Sequence, residues 1–356
     1  MIQSIKLFLR TIRVLYGLIK EENLPQKQTH FSSEVYPGLN NEPTPMNVFK
    51  PENPNKYTII IFPGASPTAE EHPQMIWLSH VMKKAGYQVF LPQIPPLKNL
   101  IISQSISDWM EHVYVWIRNH KDVNAEKIIV IGISFGGAMV LMTSLKKEIQ
   151  RHPPKSVLVY GTYYDIETTL QFLITGKLIT KESERIVQAN EWGLIVLFHN
   201  YLSKVDVGYD TTNAQKILHL SVQEKNDELE MELGRTSGNE KVLIDQMLSG
   251  KVDSEIERII ELIWKKCKND FEIISPKFWC EKISQKVFIM HGVNDTMAPY
   301  TEALQLAEKL PDSRLLISYL YEHHNMQSPK WIFFKFYEFI KIFSFLFEFI
   351  QYTERK

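Results

Sequence analysis

The stretch that most constrains this chain is the hexapeptide GISFGG at residues 132–137. A β-branched apolar run at 127–131 precedes it, and an apolar run with helix-forming residues follows it at 137–142. A strand that turns sharply into a helix leaves little space, so the residues two before and two after the turn's apex must be small. The apex residue then adopts a strained backbone conformation and projects its side chain outward. The pattern predicts an exposed Ser134 hydroxyl; the alternative interpretation is an ordinary glycine-rich turn.

Short apolar runs of strand type recur along the chain and alternate with segments of helical periodicity. The strands are expected at 57–62, 87–91, 127–131, 155–160, 286–290 and 313–320. Strands that alternate with helices form parallel sheets covered by helices on both faces. We therefore predict an α/β fold with a mostly parallel sheet.

This alternation stops between residues 166 and 284, where the patterns are mostly helical. A structureless loop of that length is uncommon within a compact domain. We expect a helical cap over the carboxyl ends of the strands, inserted into a core formed by residues 57–165 and 285–352. Four apolar residues of the cap are candidates for a surface facing an acyl group: Trp192, Leu194, Leu197 and Phe198.

Activation of a serine hydroxyl needs a base, most often histidine, and a carboxylate that orients the imidazole. In an open α/β sheet these groups come from loops at the carboxyl ends of strands. Asp295 follows a buried strand, and His323 and His324 follow the last strand. Asp165, after an earlier strand, is the alternative acid, although a turn residue at the start of the cap is the simpler interpretation.

Together, the G-x-S-x-G turn, the stretch HGVNDTMAP around Asp295 and the chain order Ser, Asp, His resemble the α/β-hydrolase family. The resemblance covers residues 57–350 and implies an α/β-hydrolase fold with a triad of Ser134, Asp295 and His323. The resemblance favours His323 as the base, with His324 as the alternative.

Acyl transfer to a serine passes through a tetrahedral intermediate, whose negatively charged oxygen needs two amide donors. The first is expected to be the amide of Phe135, directly after the serine. The family often has His-Gly in the turn after the first strand of this core, where this chain has Pro63 and Gly64. Because proline lacks an amide hydrogen, the second donor is expected to be Ala65, or Ser66 if the turn is wider.

Several other classes of protein are disfavoured by specific residues. The turn after residues 57–62 lacks the glycine pattern of a dinucleotide site, and no phosphate-binding loop is present. The two cysteines, Cys267 and Cys280, have no metal-like spacing, and the net charge of −1 favours no nucleic-acid partner. We expect no cofactor, no metal site and no nucleic-acid binding.

The two ends of the chain carry a different signal. Residues 2–20 are predicted to form a basic amphipathic helix, and residues 21–56, rich in proline, an irregular lead-in. Residues 331–352 form an unusually aromatic helical segment, in which Phe334, Phe345 and Phe349 are expected to leave apolar surface to spare. These ends predict a cytoplasmic protein that contacts the inner membrane face, with helix–helix packing or a dimer interface as alternatives.

The sequence predicts a serine hydrolase that cleaves a carboxylic ester, a small-molecule acyl substrate, through an acyl-serine intermediate. A thioesterase or acyl-peptide hydrolase with the same triad is the second hypothesis, and a non-catalytic binding protein on this fold is the third.

Overall fold

An eight-stranded sheet forms the centre of the computed structural model, which describes residues 2–20, 31–179, 184–187, 190–319 and 329–355. Its strands are β1 (Ser32–Pro37), β2 (Pro43–Phe49), β3 (Thr58–Phe62), β4 (Gln88–Pro92), β5 (Ile128–Ile133), β6 (Ser156–Tyr160), β9 (Val287–Gly292) and β10 (Ser313–Ser318). Their order is β1-β2-β4-β3-β5-β6-β9-β10, and all strands from β4 to β10 in that order are parallel. The predicted α/β class with a mostly parallel sheet is confirmed.

Alternate residues of each central strand enter two different hydrophobic clusters, one on each face of the sheet. In β3, Ile59 and Ile61 belong to one cluster, whereas Ile60 and Phe62 belong to the other. Side chains alternate between the faces of a strand, so a strand covered on both sides must be apolar throughout. This explains why the sequence of β3 is an uninterrupted apolar run.

The lead-in segment differs from our expectation of an irregular chain. Within it, β1 and β2 form an antiparallel pair at one edge of the sheet, and β2 also pairs with β4. The prolines in this segment favour an irregular chain over strands, because a proline has no amide hydrogen to donate to a neighbouring strand. Pro43 and Pro45 lie before the stretch of β2 that pairs with β4, which begins at Met46, so their missing amides disrupt little of that ladder.

Helices flank the sheet and also build most of residues 166–284. The flanking helices are α1 (Ile2–Lys20), α2 (Pro73–Lys84), α3 (Pro95–Lys98), α4 (Ser105–Arg118), α5 (Phe135–Thr143), α6 (Lys147–Arg151), α14 (Tyr300–Lys309) and α15 (Pro329–Arg355). The segment 166–284 contains α7 (Ile166–Thr175), α8 (Trp192–Tyr201), α9 (Thr212–Val222), α10 (Asn226–Leu233), α11 (Gly238–Ser249), α12 (Ser254–Lys266) and α13 (Lys268–Ile274). It also contains a short hairpin of β7 (Lys177–Ile179) and β8 (Glu184–Ile186), which the helical patterns did not predict.

The two terminal helices pack on each other and on the same face of the sheet. Leu7 and Val14 of α1 join the cluster that contains Phe345 and Phe349 of α15. Phe345 and Phe349 pack edge-on against Phe288 of β9, at 5.8 and 5.1 Å between ring centroids. The expectation that these two rings leave spare apolar surface is therefore wrong, because this side of α15 faces the sheet. The side chain of Phe334 lies outside the described residues.

Candidate active site

Ser134 occupies the turn between β5 and α5 with a φ of 51° and a ψ of −129°. A positive φ is uncommon for a residue with a side chain and costs of the order of 1–3 kcal/mol. Its amide donates to the carbonyl of Tyr160 on the neighbouring strand β6 at 2.7 Å, which fixes the turn to the sheet. The strained serine predicted from the glycine pattern is thus present at a strand-to-helix turn, but Ser134 is half-buried there rather than exposed.

The glycines around Ser134 are required by close backbone contacts. A Cβ added at Gly136 would lie 2.1 Å from the carbonyl oxygen of Pro63, and one at Gly132 would lie 2.7 Å from the Cα of Gly137. Neither backbone neighbour can move without shifting the turn, so any side chain at these two positions would displace Ser134.

The turn after β3 lies directly against the serine. A Cβ added at Gly64 would be 3.1 Å from the Cβ of Ser134 and 3.7 Å from its Oγ. The amide of Ser66 donates to the carbonyl of Leu97 at 3.2 Å, whereas the Ala65 amide makes no hydrogen bond to the described part of the chain. Phe135 begins α5, where the first amides have no acceptor within the helix. The two amides that the sequence singled out therefore belong to segments on either side of Ser134.

Asp295 stands in the loop after β9, two strands from the serine in the order β5-β6-β9. Its Oδ1 accepts hydrogen bonds from the amides of Met297 and Ala298, at 2.8 and 3.0 Å. Its Oδ2 points toward Gly161, where an added Cβ would lie 3.1 Å away. The loop thus holds the carboxylate by one oxygen and turns the other toward the carboxyl end of β6, beside the turn that carries Ser134.

His291 contacts this carboxylate, although no role was predicted for this histidine from the sequence. Its Nε2 donates to the carbonyl of Ala298 at 2.9 Å and lies 3.5 Å from Oδ2 of Asp295. The ring is fully buried, and burial lowers the pKa of His291 below its ordinary value. A neutral imidazole therefore stabilises the loop of Asp295 from its buried side through the hydrogen bond to Ala298. The four-residue spacing between this histidine and Asp295 was the available signal.

Asp165, the alternative acid, is occupied by structural contacts. Its Oδ1 caps α7 by accepting the amide of Glu167 at 3.1 Å, and its Oδ2 lies 2.8 Å from Nζ of Lys277. The hydrogen bond from Lys277 to Asp165 raises the pKa of that lysine. The backbone amide of Asp165 donates to the buried carboxylate of Glu302, whose pKa is raised by burial. These contacts match the simpler interpretation, a residue that starts the helical segment.

The two candidate bases, His323 and His324, lie outside the described residues. The preceding strand β10 pairs with β9 up to Ser318 opposite Gly292, so the chain leaves the sheet beside the loop of Asp295. A small cavity lies at this place between the ends of three strands. It is lined by Tyr160, Gly292, Val293, Asn294, Asp295, Ser318 and Tyr319.

The helical segment contacts several loops at the carboxyl edge of the sheet. Asn200 of α8 hydrogen-bonds Ile102 and Leu100 in the loop between α3 and α4, at 2.8 and 3.0 Å. The Tyr163 ring, after β6, stacks on Phe135 at 5.7 Å, and its hydroxyl donates to the carbonyl of Ile274 at the end of α13. Segment 166–284 is therefore anchored close to the Ser134 turn.

The residues expected to face an acyl group are mostly unavailable. Leu194, Leu197 and Phe198 of α8 are fully buried in the hydrophobic core, while Trp192 keeps part of its surface accessible. The helical period placed them on α8 correctly, but three of the four pack inward against neighbouring helices.

No protein-family model matches the sequence, and no curated protein matches it. Solved structures do match the fold. Puromycin hydrolase superposes with a TM-score of 0.50 at 8% identity, over 92% of this chain and 39% of that chain. The α/β hydrolase GrgF from Penicillium sp. sh18 superposes with a TM-score of 0.45 at 13% identity, over 92% of this chain and 98% of that chain. The 2,6-dihydroxy-pseudo-oxynicotine hydrolase superposes with a TM-score of 0.45 at 14% identity, over 84% of this chain and 63% of that chain. The present chain therefore spans less than two thirds of the length of that hydrolase.

The chain has the α/β-hydrolase fold, as its sequence predicted. At these identities the likeness concerns the fold alone, and a fold hosts many functions. The function of this chain therefore depends on the residues around Ser134.

Proposed function

We propose that the protein is a serine hydrolase that cleaves a carboxylic ester or a related acyl compound through an acyl-serine intermediate. The observation that carries this proposal is the strained backbone of Ser134, at φ 51°, on a turn in contact with Gly64. Strain of this kind persists only where the surrounding structure enforces it, and it clusters at active sites. A merely structural turn at this position would be served by glycine without that cost.

In the proposed reaction, Oγ of Ser134 attacks the carbonyl carbon of the substrate while His323, or alternatively His324, removes its proton. Asp295 accepts a hydrogen bond from the imidazole and stabilises its protonated form. Two amides already hold Oδ1, whereas Oδ2, which His291 approaches at 3.5 Å, turns toward the carboxyl end of β6, and this orientation supports the role. The histidine then gives the proton to the departing alcohol, and water releases the acyl group by the same steps.

Negative charge develops on the substrate's carbonyl oxygen during both attacks. The amides of Phe135 and Ala65 are proposed to donate to it, because they lie on the two segments that meet at Ser134 and neither is engaged by the described residues. Removing one such donor typically costs about two to three powers of ten in turnover. The helical segment 166–284 is proposed to act as a cap that shapes the substrate pocket.

Activity-based labelling with a fluorophosphonate tests the nucleophile. Wild-type protein should become labelled, and Ser134→Ala should not, while Ser144→Ala, which changes a buried serine at the end of α5, should label normally. Labelling of Ser134→Ala at the wild-type rate would overturn the proposal. A folded wild-type protein that never labels would favour a non-catalytic binding protein.

The acyl class is tested with p-nitrophenyl esters of increasing chain length beside acyl thioesters and N-acyl peptides. Esters should give the highest kcat/KM. A preference for thioesters or acyl peptides would retain Ser134 as nucleophile and move the substrate to the second hypothesis. In the same assay, His323→Ala should lose several powers of ten in turnover, and His324→Ala roughly tenfold or less.

A further inference from the structure

Helix α1 carries two apolar faces, and only one of them packs against the protein. Leu7 and Val14 are buried against α2 and α15. On the opposite side, successive turns expose large apolar side chains with 41–54% of their surface accessible: Ile5, Phe8, Leu9, Ile12, Tyr16 and Ile19. At 100° per residue these six fall within one arc of the helix. The exposed stripe runs from residue 5 to residue 19, about 21 Å at 1.5 Å per residue.

Helix α15 extends this apolar stripe. The ring of Phe8 packs edge-on against Phe343, with 5.3 Å between the centroids. Ile340 and Phe336 lie one and two turns before Phe343 on the same side of α15, and both are exposed. Two adjoining helices therefore present a joint apolar surface, larger than scattered single side chains would give.

The charged residues described along the exposed edge of α1 are cations. Lys6 and Arg13 are exposed, and each lies within one turn of Leu9 along the edge of the stripe. Helix α1 contains no acidic residue. The carboxylates of α15 are engaged elsewhere: Glu338 with Lys341, Glu348 with Arg314 and Glu354 with Arg10. The cations at the edge of the stripe are thus left to face the surroundings.

We propose that the exposed face of α1, continued by α15, lies in the plane of an anionic lipid surface. An apolar stripe flanked by cations is the pattern of helices that rest in a membrane interface, with their cations near anionic headgroups. A second copy of this chain fits less well, because a two-fold contact through this surface would bring the cations of two α1 helices close together, and α1 itself has no carboxylate to pair with them. No described helix combines the length and the apolar character needed to cross a bilayer.

Co-sedimentation of the full chain with vesicles tests this surface. Wild-type protein should bind vesicles of phosphatidylglycerol and phosphatidylcholine, and bind pure phosphatidylcholine more weakly. Leu9→Gln/Ile12→Gln should weaken vesicle binding by about tenfold or more, because it removes two apolar side chains that the lipid would bury. Met231→Gln/Val242→Gln changes two equally exposed apolar residues on α10 and α11 and should bind like wild type.

Lys6→Gln/Arg13→Gln tests the charge. It should weaken binding to anionic vesicles by about tenfold or more and leave the weak binding to neutral vesicles unchanged. Lys241→Gln/Lys265→Gln, which changes exposed cations elsewhere, should have no effect. Far-ultraviolet circular dichroism and thermal melting confirm that each variant is folded.

Three outcomes would overturn the proposal. The first is that full-length protein does not bind anionic vesicles. The second is that the control variants lose binding as strongly as the α1 variants. The third is that sedimentation equilibrium shows a dimer that Leu9→Gln/Ile12→Gln dissociates while vesicle binding is absent, which would assign the surface to a second copy.

Discussion

At the scale of single residues, Gly136 leaves the turn at Ser134 almost no room for a side chain. Gly136→Ala would place a Cβ 2.1 Å from the carbonyl oxygen of Pro63, so the turn must shift. We expect a loss of about 1–3 kcal/mol in stability from overpacking, together with loss of fluorophosphonate labelling. Gly234→Ala is the matched control, because an added Cβ there meets nothing closer than 3.5 Å. Full labelling of Gly136→Ala would show that the turn tolerates displacement.

The two candidate acids should respond differently to the same change. Asp295→Asn should lower turnover by roughly three to four powers of ten, because an amide cannot stabilise the charged imidazole. Asp165→Asn should reduce turnover only mildly, since asparagine is also a good helix cap. It should lower the melting temperature, because Lys277 loses its partner. Steady-state kinetics and thermal melting decide, and the reverse order of activities would move the acid to β6.

His291 should make stability depend on pH in a defined direction. Burial holds its pKa below the ordinary value of 6.5, so the folded state keeps the ring neutral. The unfolded chain takes up a proton below about pH 6.5, and the stability that the neutral ring contributes is lost as pH falls from there toward the folded pKa. Melting temperatures of His291→Gln and wild type should differ most above pH 6.5 and converge below it.

His152→Gln, which changes an exposed imidazole, is the control for this pH series. Its melting curve should run parallel to that of wild type across the same range. A gap for His291→Gln that widens as pH falls would contradict the assignment of a buried neutral ring.

These residues show where sequence reasoning works and where it stops. The glycines around Ser134 and the loop of Asp295 were predictable because a sharp turn admits few residue types. His291 was missed because its role depends on burial against Ala298, a tertiary contact with no local pattern. Asp165 remained the alternative acid because chain order alone cannot show that Lys277 and the Glu167 amide already use its carboxylate oxygens.

At the scale of elements, the same limit separates the central strands from the edge. Strands covered on both faces are apolar throughout, so β3 and β5 were readable from composition. The strands β1 and β2 were not predicted, because the prolines in this segment are typical of an irregular chain. Pro43 and Pro45 lie in the part of β2 that pairs with β1, before the residues that pair with β4. The burial of Phe345 and Phe349 was likewise not predictable from the sequence, because it depends on the packing of α15 against Phe288 of β9.

Helix α8 provides the element-scale test of the proposed cap. Asn200 joins α8 to the loop between α3 and α4 through Ile102 and Leu100, so Asn200→Ala should cost about 1–3 kcal/mol in stability. If the segment shapes the pocket, this variant should change the preference for acyl chain length. Labelling of Ser134 by a small fluorophosphonate should remain unchanged. Asn213→Ala, at an exposed position of α9, is the control. An unaltered chain-length profile in Asn200→Ala would argue against α8 as a pocket wall.

At the scale of the whole molecule, an ion pair joins the two ends of the chain. Arg10 of α1 contacts Glu354 near the end of α15, 344 residues away, and also donates to the carbonyl of Ala85 at 3.1 Å. The Glu354 carboxylate is largely buried and accepts the hydroxyl of Tyr87 at 2.6 Å. The pair therefore fixes which face of α1 points inward and which remains exposed.

Breaking the pair from one side should leave a buried charge without its partner. Arg10→Met should cost about 2 kcal/mol in the free energy of unfolding, and the double variant Arg10→Met/Glu354→Gln should regain part of that loss. Chemical denaturation of both single variants and the double variant measures the coupling. Strictly additive losses would show that the two side chains act independently. Without the ion pair, α1 would be docked by its packed residues, such as Leu7 and Val14, and its exposed stripe would be less firmly oriented. Vesicle binding by Arg10→Met should therefore fall together with its stability.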